Sequence, residues 1–129
     1  MGLIKSVSIW VANTNWEEST LREVMTPAYS EDGDFLGSEF TNTFSLGFVD
    51  DDSIEADKVE LTKSLSEAID GFSYDTDISA DFKQKNISSP IHKIDTLVLV
   101  YDYKYFGAPL TSSIRREQFF FLGNFEYSE

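Results

Sequence analysis

The chemistry open to this chain is almost entirely carboxylate chemistry. It holds 23 Asp and Glu against 10 Lys and Arg, with one histidine and no cysteine. Lack of cysteine removes disulfides, thiolate nucleophiles and thiolate zinc sites, and fits a reducing cytoplasm. A zinc site or a Ser-His-Asp triad would depend on His92 alone, which follows Pro90 in a Ser/Pro loop and reads as a surface residue. A calcium loop of the EF-hand type alternates its acids before a glycine and closes on a distant glutamate. Glu31-Asp32-Gly33-Asp34 has neither that alternation nor that glycine offset. Asp50-Asp51-Asp52, if extended, would point neighbouring carboxylates to opposite faces.

A general acid/base pair carries no specificity as a signal here, because so many carboxylates guarantee that some pair lies close. No GxSxG, Walker or GxGxxG motif occurs. The expectation is a protein with no catalytic residue, no metal ligand and no cofactor. A hydrolase or Mg²⁺ site assembled from distant carboxylates is the competing enzymatic alternative.

The net charge of −13 is segregated. Residues 31–81 hold fifteen acids and two bases, Lys58 and Lys63, whereas residues 82–129 hold five acids and six bases. Such a field repels nucleic acid and anionic membrane and attracts cationic partners. A solvated surface kept for solubility accounts for it equally well.

The elements that must position these acids follow from periodicity. Length and composition predict one domain over residues 1–129, and no apolar run is long enough to cross a bilayer. "MGLIKS" fits an N-myristoylation pattern through Gly2 and Ser6, but it is short and runs straight into a predicted strand. Nothing after the N-terminal segment resembles a secretory cleavage site.

Residues 4–12 alternate as a half-buried strand, with Trp10 on the nominally polar face, either beneath a helix or loop or serving as an interface anchor. Capping boxes at Thr14–Glu17 and Asn15–Glu18 predict a helix over about 15–26, with Leu21, Val24, Met25 and Ala28 as its apolar stripe and Thr26-Pro27 as its stop. Residues 29–37 read as a turn or short hairpin, and Ser38 starts a helix that brings Phe40 inward and stops at Gly47. Residues 54–59 are a weak strand. Ser64 caps a helix over 62–71 with Leu61, Leu65, Ala68, Ile69 and Phe72 as its stripe, and a further short helix turns Ile78 and Phe82 inward.

"IDTLVLVYDYKYF" (94–106) and "EQFFFLGNFEY" (117–127) are near-continuous apolar strands of the kind buried on both faces, with "GAPLTSSIRR" as a wide hairpin connection. On straight strands Tyr101, Tyr103 and Tyr105 would share one face, as would Phe119, Phe121 and Phe125. The phenylalanines read as core, while the tyrosine hydroxyls require water or a partner. The fold class is α+β, with helices packed against a mostly antiparallel sheet.

The order "VSIWV", "NWEES", "YSEDGDFLGSEF", "DDDSIE", "EAIDGFSYD" resembles the immunity protein 22 family of bacterial polymorphic toxin systems, most clearly up to about residue 82. The positions that carry it are Trp10, Asp32, Gly33, Asp34, Ser38, Glu39 and Phe40. The resemblance implies a small cytoplasmic, non-enzymatic α+β protein that neutralises a cognate toxin, usually a nuclease, and it offers no catalytic residues to carry over. Joined to the charge distribution, it makes a face of Glu31, Asp32, Asp34, Glu39, Asp50, Asp51, Asp52, Glu55 and Asp57 the candidate surface for a basic toxin. A DNA mimic acting on basic nucleic-acid-binding proteins is the alternative partner class.

Overall fold

A central strand flanked on both sides and covered on both faces organises the chain. The computed structural model describes residues 2–129; Met1, the first residue of the lipidation pattern, lies outside them. The order is β1 (Ile4–Ala12), α1 (Glu18–Met25), β2 (Ala28–Tyr29), β3 (Phe35–Gly37), α2 (Glu39–Thr43), a 3₁₀ turn (Asp51–Ser53), β4 (Ile54–Thr62), α3 (Leu65–Ala68), α4 (Asp75–Gln84), β5 (Ile94–Tyr101), β6 (Thr111–Ile114) and β7 (Glu117–Ser128). Five strands form one antiparallel sheet in the order β4-β5-β1-β7-β6, and β2 and β3 pair apart as a small hairpin. The α+β class holds, and the sheet has helices on both sides.

One layer joins Val7, Ile9 and Val11 of β1 and Leu97 and Leu99 of β5 to Leu65 and Ile69 beside α3 and to Ile78 and Phe82 of α4. The other joins Trp10, Ala12, Val98 and Val100 to Val24 of α1 and to Phe40 and Phe44 around α2. β1 is therefore buried on both faces from Val7 onward, where alternation predicts a half-buried strand. The nominally polar face is covered because Trp10 meets Phe40 edge-on at 5.1 Å, with Phe44, Tyr105 and Phe121 all within 5.5 Å. Trp10 is fully buried, so of its two expected roles it takes the one beneath a helix.

Several local expectations meet competing partners. The first helix begins at Glu18, three residues late. The hydroxyl of Thr14 accepts from Lys58 Nζ at 2.8 Å and lies 3.0 Å from Thr96 Oγ1, so it joins this partly buried cluster instead of capping a helix begun there. Pro27 ends α1 as expected, which leaves Ala28 outside the stripe and exposed. Ser38 does cap α2, its side chain and that of Thr41 exchanging bonds with each other's main chain. The chain leaves that helix at Ser45 (φ 55), ahead of the predicted stop at Gly47. The third helix is only Leu65–Ala68, and Leu61, assigned to its stripe, belongs to β4 and is half exposed.

The long C-terminal strand departs most. A bulge shifts its register between Ile9 and Trp10 of β1, opposite Gly123, which takes φ +149. Phe119 and Phe121 pack with Trp10, whereas Phe125 packs with Val7 in the opposite layer, so the three rings do not share a face. The tyrosines also separate, because Asp102 (φ 53) ends β5: Tyr101 packs on the α3/α4 side and Tyr105 beside Trp10. The segment between β5 and β7 holds its own strand, β6, joined to β7 by a two-residue turn of Arg115 and Arg116, both at positive φ.

Lys58 Nζ lies 3.0 Å from Asp95 Oδ2, and both side chains are more than four-fifths buried. Asp95 Oδ1 also accepts from Thr14 N at 2.9 Å, so this pair ties β4, β5 and the β1–α1 loop together. Removing one partner strands a buried charge; Asp95→Ala is expected to lower the urea-unfolding free energy by about 3 kcal/mol. The double variant Lys58→Met, Asp95→Leu should recover much of that loss.

Candidate functional site

A β-turn with a bulge presents the first group of acids. Gly33 N donates to Ser30 O at 2.9 Å, Ser30 N to Asp34 O at 2.9 Å, and Asp34 N to Ser30 Oγ at 3.0 Å. Gly33 takes φ +87, a conformation that disfavours any Cβ and puts glycine third in such a loop. Glu31, Asp32 and Asp34 are thereby exposed on a hydrogen-bonded turn. Tyr29 and Phe35 lie 5.9 Å apart at its base, and Phe48 packs edge-on to Phe35 at 5.1 Å while remaining about two-thirds exposed. The acidic tip thus stands on an apolar patch of Tyr29, Phe35 and Phe48, and Leu36 is half exposed on the other face of β3.

Glu39, in the first turn of α2, is committed within the molecule. Its carboxylate takes Arg115 Nε at 3.0 Å and Nη2 at 2.6 Å, while Arg115 Nη1 reaches Glu23 at 3.2 Å. The hydrogen-bonded guanidinium holds the Glu39 carboxyl below its ordinary value, and the Glu39 and Glu23 carboxylates raise that of Arg115. This fork docks the β6–β7 turn on α1 and α2, and its contribution to stability disappears as pH falls through the depressed Glu39 value.

Asp50 caps the 3₁₀ turn by accepting from Asp52 N at 3.1 Å, leaving Asp51 and Asp52 exposed. Glu55 and Asp57 then face the α3/α4 side of β4, because they pair with Leu99 and Leu97. Glu55 Oε1 accepts from Tyr101 Oη at 2.7 Å and from Ser73 N at 3.1 Å, so it pins the loop before α4. Burial, reinforced by Glu55, pushes the Tyr101 hydroxyl well above the ordinary phenol range. Asp57 is exposed at the strand edge, and partial burial together with Glu18 and Glu55 raises its carboxyl.

The nine acids therefore do not form one patch on a single face. Those of the hairpin, α2 and the 3₁₀ turn belong to the α1/α2 side, Glu55 turns to the other side of the sheet, and Asp57, at the strand edge, borders both. Two hollows meet around β4. One of about 280 Å³ has Glu18, Asp51 and Asp57 on its walls, with Arg22 beside them. The other, about 850 Å³, adds Glu60, Glu67 and Asp70. Glu18, Glu60, Glu67 and Asp70 were missed by sequence reasoning because they lie apart from the dense acidic runs; the strand period through Glu55, Asp57 and Val59 was the available signal. Lys58 turns away to Asp95, so it does not neutralise the Glu55–Asp57 side.

Among the described residues no three His, Cys, Asp or Glu side chains gather as a metal site, and no helix is long and apolar enough to cross a membrane. His92 is exposed.

The fold and this surface define a small α+β domain whose carboxylates are spent on structure or turned to solvent. The model of the family described as Immunity protein 22 matches residues 7–128, and the chain belongs to that family. The match extends through the C-terminal strands, well beyond the part that resembles the family most clearly by eye. Neither a curated protein nor a solved structure matches the chain.

Ionised Asp57 opposes folding, because its folded value lies above its unfolded one. That cost sets in as pH rises past the ordinary Asp value of about 3.9 and is complete above the raised folded value. Asp57→Asn is expected to raise the melting temperature at pH 7 by ~2 °C and to leave it unchanged below about pH 3.5, as read by calorimetry across pH.

Proposed function

We propose that this single-domain protein neutralises a cognate bacterial toxin in the cytoplasm by stoichiometric binding, without catalysis, and that the toxin is basic and most consistent with a nuclease. Membership of the immunity family supports a toxin partner. The observation that carries the basic character of that partner is the pattern of unspent carboxylates. Glu31, Asp32, Asp34, Asp51, Asp52 and Asp57 make no ion pair with Lys or Arg among the described residues; Lys58 and Arg115 are consumed by Asp95, Glu23 and Glu39, which leaves Arg22 as the cation sharing a hollow with Asp51 and Asp57. Like charges held together cost stability that a Lys- and Arg-bearing partner relieves, and the complementary field speeds encounter. Tyr29, Leu36 and Phe48 supply apolar anchors beside the charge. Glu39, Asp50 and Glu55 contribute to the field from bonded positions.

The test is coexpression with the product of the adjacent gene. Changing Glu31, Asp32, Asp34, Asp50, Asp51, Asp52 and Asp57 together to their amides should abolish protection while circular dichroism stays native. Unchanged protection and binding would refute the acidic interface. Association with the toxin should also slow about tenfold or more between 50 and 500 mM salt, measured by stopped flow. A DNA mimic would instead bind several unrelated basic proteins, where an immunity protein selects one.

A further inference from the structure

The two edges of the main sheet are finished differently. On the far edge, β6 pairs with Glu117–Phe120 of β7, and Leu110 O then accepts from Phe121 N at 2.8 Å. Beyond that, α4 takes over: Asp81 Oδ2 accepts from Glu126 N at 2.8 Å and Asp77 Oδ2 from Ser128 N at 2.9 Å. Four residues along a helix advance about 6 Å and two along a strand about 6.7 Å, so two carboxylates one turn apart match alternate strand amides. These bonds cover the outer side of β7, and the edge strand left there, β6, is only four residues long.

The opposite edge has no such cover. β4 is nine residues long, its register with β5 shifts between Lys58 and Thr62, and among the described residues no strand pairs with its outer side. Helices α1 and α3 pack against it from the two sheet faces, and the hollow of about 850 Å³ runs along Glu55–Thr62 toward α3. Five carboxylates, from Glu55, Asp57, Glu60, Glu67 and Asp70, line it around Val59. A free strand edge offers unpaired amides and carbonyls to an incoming strand, and its alternating side chains set which strand fits.

We propose that the outer edge of β4 is a strand-docking site that takes an extended segment of the toxin with Lys or Arg at alternate positions. It rests on the toxin-binding function above and specifies how that toxin is held. A second copy of this chain does not fit, because β4 against β4 would set Glu55, Asp57 and Glu60 among their own counterparts, and like charges across a strand pair repel. A cationic strand instead places its basic residues over Glu55 and Asp57 while its main chain completes the sheet. Partial burial, with the like charges of Glu18 and Glu55 beside it, raises the Asp57 carboxyl.

The experiment uses the full ¹⁵N-labelled chain and a ten-residue peptide of alternating Lys and Thr, blocked at both ends. A second peptide of the same sequence carries N-methyl groups on alternate amides, which keeps the charge and removes strand pairing. The first should slow exchange of outward β4 amides roughly tenfold, and the second should bind roughly tenfold more weakly. Equal affinity for the two, or protection centred on residues 31–34 in place of β4, would overturn the docking site. In the complex with the coexpressed toxin, the same β4 amides should be protected. A toxin that binds while they exchange as in the free protein overturns strand docking and leaves the immunity function standing. Peptide docking at β4 without any toxin binding overturns the immunity function and leaves the cationic-strand site standing.

Discussion

Two adjacent strands with apolar residues on both faces impose the architecture. β1 and β5 cannot leave either face in water without exposing Val7, Ile9, Leu97 and Leu99 on one side or Trp10, Val98 and Val100 on the other. Both faces must be covered: Tyr103 and Tyr105 after β5 add to the Trp10 side, and the chain between β1 and β5 supplies the helices. Its first half supplies α1 and α2, its second half α3 and α4, and β4 lies between them as the strand where the chain passes from one face to the other. The acids of that same stretch must then go where the covering elements are not buried: loop tips, helix surfaces and the edge strand.

This placement accounts for the electrostatics. A stretch with fifteen acids that also covers a core has few ways to relieve repulsion internally. The molecule relieves it where bonding also stabilises the fold. Asp95 holds Lys58, Glu39 and Glu23 share Arg115, and Asp77 and Asp81 satisfy amides of β7. The remaining carboxylates stand unpaired on the hairpin tip, the 3₁₀ turn and the β4 edge. Acids at an edge strand also discourage self-association, so the same charges that invite a basic partner keep two copies apart.

Much of the fold was legible because it depends on short-range rules. The apolar runs of β5 and β7, the cap at Ser38, the stop at Thr26-Pro27 and the inward Ile78 and Phe82 each follow from a few neighbouring residues. The failures were also specific. Thr14 carried a capping signature, but its hydroxyl was claimed by Lys58 and Thr96, residues 44 and 82 positions away. Phe125 had the spacing to join Phe119 and Phe121, but the bulge at Gly123 reversed its face. Glu39 and Glu55 looked as free as Asp32, but Arg115 and Tyr101 reached them across the fold.

By itself, the sequence determined that a segregated acidic stretch would cover a two-faced antiparallel sheet. Periodicity, capping and local charge density are properties of neighbouring residues and survive without a structure. Only the tertiary structure decided which acids are spent and which are free, and which strands stand at the edges of the sheet. Those outcomes depend on register and on bonds between residues far apart in the chain. A one-residue bulge or a distant guanidinium changes them without leaving a mark in the local pattern.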